Sequence, residues 1–172
     1  DEKLEVVAYG CTSGTIEIGE HRIKEEIHKS KPDASITTPI TAAVKAFKLS
    51  KFKKIAVLTP YPKSVNLKVF DYLISQNLEV SSFNSFNLNY DSEIAKVTSS
   101  SLIEAISSIN LSGVDCLFVS CTALKIVDLI AELEKDLNIN IISSNQAIIW
   151  DTLRLSNLHQ KIEGFGKLLK LY

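Results

Sequence analysis

The chain has 172 residues, 45% of them hydrophobic and 23% charged, with 19 basic against 20 acidic side chains and a net charge of −1. That supplies enough apolar material for one well-buried domain, or for two small lobes sharing a cleft. The balanced charge, without a lysine or arginine cluster, excludes the electrostatic footprint of a nucleic-acid binder, and the longest apolar runs, such as 55–58 and 117–119, are too short to span a bilayer.

In chain order, short β-branched runs alternate with longer amphipathic stretches, the pattern of an α/β architecture. Residues 4–9 read as a buried strand that runs into a Gly/Ser/Thr loop at 10–15. Residues 16–29 read as one helix, with Ile16, Ile23 and Ile27 inward and Glu25, Glu26 and Lys29 outward. A short strand at 35–37 ends at Thr38-Pro39, and a helix follows at 40–48 with the proline in its first turn. Residues 54–59 form the clearest strand, which Pro60-Tyr61-Pro62 breaks. A helix at 65–76 has Val65, Val69, Phe70 and Leu73 as its inner stripe. A strand at 78–83 leaves the sheet through a Ser/Asn/Phe-rich stretch. Helices at 92–97 and 101–109 are separated by Thr98 or Ser99 as an N-cap. A strand at 115–119 ends at Ser120-Cys121, and 123–137 read as a strongly patterned helix. A strand at 139–142 and helices at 146–155 and 162–171 complete the pattern.

One internal echo says more than any single element. A strand runs into Cys11-Thr12, and another runs into Cys121-Thr122, each expected between a strand end and a helix start. The repeated context points to a duplicated α/β unit. In open α/β sheets, ligands bind beyond the carboxyl ends of the strands. A helix start there offers unpaired N–H groups that suit a carboxylate, and it lowers a neighbouring cysteine's pKa from roughly 8.5. Two facing cysteines can then work as a pair, one thiolate adding to carbon or taking a proton while the other thiol delivers one. That chemistry needs no cofactor.

Other features carry less. Cys116 lies inside a strand run and reads as core. With Cys121 it makes a C-x4-C, but no second pair supports a metal site. Three cysteines without framework spacing suit a reduced, cytoplasmic setting. His21 and His28 read as solvated helix surface, and nothing places His159 beside a cysteine. Tyr61 follows a buried strand on a stiff loop at the same sheet edge, where its phenol can bond a substrate carboxylate. Asn66 follows in the next helix.

The segments Ala8-Tyr9-Gly10-Cys11-Thr12-Ser13-Gly14-Thr15, Thr59-Pro60-Tyr61 and Ser120-Cys121-Thr122-Ala123-Leu124, with Ser144-Asn145-Gln146 before Trp150, resemble the aspartate/glutamate racemase superfamily. The branch they resemble is that of maleate cis-trans isomerase and arylmalonate decarboxylase. The resemblance implies two pseudo-symmetric Rossmann-like lobes with parallel sheets, one cysteine from each lobe, an active site in the cleft between them, and a homodimer. It implies Cys11 and Cys121 as catalytic residues, with Thr12, Ser13, Tyr61, Asn66 and Thr122 as substrate-binding ones. Amino-acid racemases of the superfamily carry Asn after the first cysteine and His after the second Cys-Thr. Thr12 and Ala123 depart from that pattern and speak against recognition of an α-amino group. Arylmalonate decarboxylases have glycine at the first cysteine position, so Cys11 speaks against a dedicated decarboxylase.

The expectation is a cofactor-independent isomerase or racemase acting on a small carboxylate, foremost a maleate-like dicarboxylate. Alternatives are an arylmalonate-type decarboxylase with Cys121 as proton donor, an amino-acid or hydantoin racemase, and a non-catalytic carboxylate-binding domain. The first lobe is expected at 1–50 plus 144–172, and the second at 51–143. The second lobe has a strand and loop well upstream of its cysteine. By analogy the first lobe is expected to have lost its N-terminal strand and helix, roughly sixty residues.

Overall fold

The computed structural model describes residues 4–171. All of its strands pair in parallel, in two sheets. β1 (Val6–Ala8) pairs with β2 (Ser35–Thr37), with Val7 opposite Ile36. The larger sheet has the order β4-β3-β5-β6, built from β3 (Lys54–Thr59), β4 (Glu79–Ser85), β5 (Cys116–Val119) and β6 (Asn140–Ser143). The sheet helices are α3 (Pro39–Leu49), α4 (Lys63–Ser75), α5 (Asp91–Ile94), α6 (Ser99–Ser107), α7 (Ile130–Asp136), α8 (Ser144–Leu155) and α9 (Lys167–Leu171), with α1 (Thr12–Ile18) and α2 (Glu20–His28) ahead of them. Among the described residues no helix is long and apolar enough to cross a membrane.

β3 and β5 are continuous apolar runs because helices cover both faces of a parallel sheet. Residues 55–59 and 116–119 are buried throughout. Phe118 of β5 meets Phe47 of α3 edge to face, with ring centroids 5.5 Å apart, and both rings are fully buried. Phe118→Ala is expected to cost about 3–5 kcal/mol, read as a lower urea midpoint with an unchanged slope. α3 starts where Thr38 caps it and Pro39 fills its first turn. Its fully buried Ala42, Ala43 and Ala46 let α8 pack closely against it. The buried Asp151 of α8 accepts from Thr37 Oγ1 and from Lys45 Nζ, each at 2.6 Å, and so ties α8 to both β2 and α3.

The topology positions the site. β3 lies between β4 and β5. After β3 the chain goes to one neighbour, and after β5 it goes away in the opposite direction, to β6. The loops leaving these two strands therefore part, which opens a crevice at the carboxyl edge. Tyr61 lies on one of these loops and Cys121 on the other. α8 packs on α3, β1, β2 and β6, while α9 lies on β6 and α8; residues 144–171 thus touch both sheets.

Several expected elements differ. The helix expected at 16–29 is two, parted at Gly19, whose φ of +90° suits glycine. The loop expected through residue 15 is shorter, because α1 begins at Thr12. The helix expected at 123–137 begins only with a 3-10 turn at Val127–Leu129 that leads into α7. Of the helix expected at 162–171, only α9 forms; Gly164 and Gly166, with φ near +90°, keep the preceding chain out of helix. β1 is half-exposed rather than buried. Phe70, expected inward, is partly exposed and rests edge-on against Phe83 at 6.2 Å.

Candidate active site

Cys11 follows β1 as the N-cap of α1, where a cysteine takes the place usually held by Ser, Thr, Asp or Asn. Its Sγ accepts the Gly14 N–H at 3.3 Å and lies 3.9 Å from Ser13 Oγ. The residue is exposed. It opens on a groove of about 410 Å³ between α1 and α4, lined also by Ile16 and Val65 and edged by the Glu17–Lys68 ion pair. Gly14 leaves no room for a side chain. A Cβ there would stand 2.8 Å from Cys11 Sγ and 2.9 Å from the Tyr9 hydroxyl. Gly14→Ala is therefore expected to displace the thiol and lower turnover by about tenfold or more, with an unchanged melting temperature. Steady-state kinetics beside a thermal melt check this.

Cys121 is built differently. The Ser120 N–H extends the β3–β5 pairing by donating to Leu58 O at 2.9 Å. Cys121 then turns with a φ of +101°, a region that non-glycine residues rarely enter. Its N–H donates to Ser144 Oγ at 3.0 Å, and its Sγ accepts the Ala123 N–H at 3.4 Å. Burial pushes this thiol above its ordinary range. The Ala123 N–H, the Tyr61 hydroxyl and the Leu124 N–H pull it down in part, and the Asp91 carboxylate adds to the rise. No helix starts at Cys121, so the lowering of its pKa expected from a helix N-terminus is absent and the resting group is a neutral thiol.

Tyr61 is 5% exposed, and its phenol faces Cys121, Ser120 and Thr12. Burial, and next the charge that Cys121 carries when ionised, hold the phenol far above its usual pKa, so it stays a neutral donor. Its loop is braced from two sides. Ser85 Oγ donates to Tyr61 O at 2.6 Å and Asn66 Nδ2 donates to the same carbonyl at 2.7 Å, while Thr59 Oγ1 donates to Asn66 Oδ1 at 2.5 Å. Asn66, read from sequence as a substrate contact, thus has both ends of its amide engaged in holding the Tyr61 loop.

The two cysteine loops meet. Thr122 Oγ1 donates to Gly10 O at 2.8 Å, and the buried Thr12 hydroxyl donates to Ser144 Oγ at 2.9 Å. Cys11, Thr12, Tyr61, Cys121 and Thr122 are therefore gathered where the carboxyl edges of the two sheets meet, with Ser13 at the Cys11 mouth. Sequence reasoning missed Tyr9, Ser120 and Ser144. Ser120 Oγ is fully buried beside the Tyr61 phenol and has no hydrogen-bond partner among the described residues. The signal for Ser144 was the Ser-Ser-Asn run after a strand, an N-cap signature. Cys116 is core, as expected, with its Sγ on Leu117 O. His21 pairs with Glu25 on the exposed face of α2, and His28 Nε2 lies 3.1 Å from Ala34 O. Among the described residues, no group of three His, Cys, Asp or Glu side chains could hold a metal.

Known proteins share this frame. The family model for arylmalonate decarboxylase matches residues 19–169. The maleate isomerase of Nocardia farcinica is 24% identical, over 99% of this chain and 71% of its own. The arylmalonate decarboxylase of Bordetella bronchiseptica is 26% identical, over 77% of this chain and 56% of its own. Among solved structures, a cysteine-to-serine mutant of the Nocardia farcinica maleate cis-trans isomerase, holding a covalently bound succinylcysteine intermediate, superposes with a TM-score of 0.91 at 21% identity. It matches 98% of this chain and 72% of that one. A double mutant of arylmalonate decarboxylase superposes with a TM-score of 0.84 at 24% identity, over 95% and 72%. The expected α/β fold with parallel sheets is borne out, as is the resemblance to this branch. Its maleate isomerase relatives make the chain an enzyme of the isomerase kind. Over most of its length, the chain belongs to the arylmalonate decarboxylase family.

Proposed function

We propose that this enzyme converts a small cis-dicarboxylate of the maleate type to its trans isomer, with Cys11 as nucleophile and Cys121 as acid and base. The observation that carries this reading is the contrast between two cysteines on joined loops: Cys11 is exposed and reachable, whereas Cys121 is buried as a neutral thiol beside the Tyr61 hydroxyl.

The Cys11 thiolate adds to one alkene carbon and forms a C–S bond. The π pair moves to the adjacent carbon, where that carbon's carboxylate delocalises it. Cys121 gives its S–H proton to the same carbon and becomes a thiolate, which the Ala123 and Leu124 N–H groups and the Tyr61 hydroxyl stabilise. The former double bond is now single and rotates. The Cys121 thiolate then takes a proton from that carbon, the double bond re-forms, and the C–S bond breaks to return Cys11. Every step is redox-neutral, and one proton passes from Cys121 to carbon and back, so the cycle requires no cofactor. Tyr61 and Ser13 are the hydroxyls offered to the two carboxylates, because the Thr12 and Thr122 hydroxyls donate to Ser144 Oγ and Gly10 O.

A second reading is decarboxylation of an arylmalonate, with Cys121 protonating the resulting enediolate. The family match and the protonated Cys121 favour it, whereas Cys11 has no task in it. Proton NMR in deuterium oxide, with maleate, arylmalonate, aspartate and hydantoins supplied together, separates the readings. Growth of the fumarate signal is the expected result. Loss of a carboxyl group from arylmalonate alone transfers the assignment to the decarboxylase, and deuterium at the α-carbon of aspartate or a hydantoin transfers it to a racemase. Binding of these acids without turnover supports the non-catalytic alternative.

A further inference from the structure

Two donors, one from each cysteine loop, converge on a single buried oxygen. The Thr12 hydroxyl reaches Ser144 Oγ at 2.9 Å, and the Cys121 N–H reaches the same atom at 3.0 Å. Ser144 is fully buried and stands first in α8, because Ser143 before it takes the capping role and accepts the Gln146 N–H at 3.1 Å. α8 is anchored elsewhere, through Asp151 to β2 and α3, so this oxygen belongs to the scaffold rather than to either loop. The next residue reinforces it. Asn145 Nδ2 donates to Thr122 O at 3.0 Å. Two successive residues of α8 therefore hold the turn in which Cys121 has its unfavourable φ of +101°.

We propose that Ser144 is a positioning residue whose hydroxyl oxygen holds Cys121 in its strained turn and Thr12 of the Cys11 loop at one point, so that the two sulfur-bearing loops keep a single relative geometry. Without that oxygen, two buried donors lose their acceptor. The turn is then free to relax toward negative φ, which carries the Cys121 sulfur away from the Ala123 and Leu124 N–H groups. The geometric claim is independent of substrate; only its kinetic consequence rests on the isomerase reading.

Cysteine reactivity in the full chain tests it without substrate. Iodoacetamide labelling read by peptide mass spectrometry separates exposed Cys11, Cys121 at 8% exposure, and Cys116 buried in β5. In Ser144→Ala, Cys121 is expected to label about tenfold faster than in the unsubstituted chain, with Cys116 silent and Cys11 unchanged. Simultaneous labelling of Cys116 indicates general loosening and overturns the proposal, as does an unchanged rate at Cys121. Thr12→Val leaves the Cys121–Ser144 bond in place and is expected to leave the Cys121 rate unchanged; faster labelling of Cys121 in that variant overturns the proposal. If Ser144→Ala does not fold, Asn145→Ala removes the second hold on the same turn. The same selective gain is expected there, and the same two outcomes overturn it. With a turned-over substrate, Ser144→Ala is expected to lower kcat by about a hundredfold with little change in KM. A raised KM with kcat kept assigns Ser144 to substrate binding and overturns the positioning role. Failure of maleate turnover by the unsubstituted chain removes only this kinetic arm.

Discussion

Cys121→Ser is expected to lower turnover of a cis-dicarboxylate by about a thousandfold while leaving Cys11 able to capture substrate. The substitution keeps size and shape at a site only 8% exposed, so the fold survives it. What changes is acidity. A thiol can protonate the carbon next to the new C–S bond and recover that proton later, whereas a serine hydroxyl is too weak an acid and, once ionised, too costly in a buried site. Water then supplies that proton, no thiolate is present to take it back, the Cys11 adduct leaves slowly, and intact-mass spectrometry shows the chain heavier by one substrate molecule, with the gain mapping to the Cys11 peptide. Cys11→Ser gives the reverse pattern, equally slow but with no adduct. A Cys121→Ser variant that retains more than about a tenth of the turnover removes Cys121 from the acid role and assigns proton delivery to another donor at the cleft.

Much of this frame was legible in the sequence because the buried parallel strands are written as short apolar runs. Strands at 35–37 and 54–59 lie where the pattern puts them. The local chemistry that sets helix starts was equally readable at Thr38-Pro39 and at Thr98. The failures share a cause. Apolar spacing around 16–29 and 162–171 matches a helix, but the backbone at Gly19, Gly164 and Gly166 takes positive φ, and periodicity does not register a backbone break. After Cys121 the turn is held by tertiary bonds from Ser144 and Asn145, groups that lie more than twenty residues ahead and leave no local trace. This is why the two Cys-Thr pairs look equivalent in sequence and are not equivalent in space. Cys11 caps a helix, whereas Cys121 sits in a strained turn.

That asymmetry is also the division of labour that the chemistry needs. A nucleophile has to be reachable and an acid has to hold its proton. The cap places Cys11 at an open groove, and burial keeps Cys121 protonated. The residues that create the difference are small and polar. Ser120 and Ser144 read in sequence as loop composition, and only their burial marks them as parts of the site.

Tyr61→Phe tests the remaining element and has the second large expected effect. The ring is 5% exposed, and the substitution deletes only its hydroxyl. That hydroxyl stabilises the Cys121 thiolate and stands in the cleft as a neutral donor, since burial keeps the phenol from ionising. Losing one donor at a site of developing charge lowers kcat by about 10²–10³-fold. The pH profile carries an independent sign. Proton delivery needs Cys121 as a thiol, so on the alkaline side the rate falls as pH climbs through its raised pKa. Tyr61 pulls that pKa down against the larger effect of burial. Removing the hydroxyl lets the pKa rise further, so the alkaline limb of the kcat profile moves to higher pH even as the plateau drops. Asn66→Ala separates the hydroxyl from its support, because it loosens the Tyr61 loop but keeps the donor, and it is expected to reduce kcat with a smaller displacement of the limb. A Tyr61→Phe variant with an unmoved plateau, or with the limb moved to lower pH, shows that the phenol does not face the thiolate during turnover. The proton then comes from a Cys121 that the backbone N–H groups alone support.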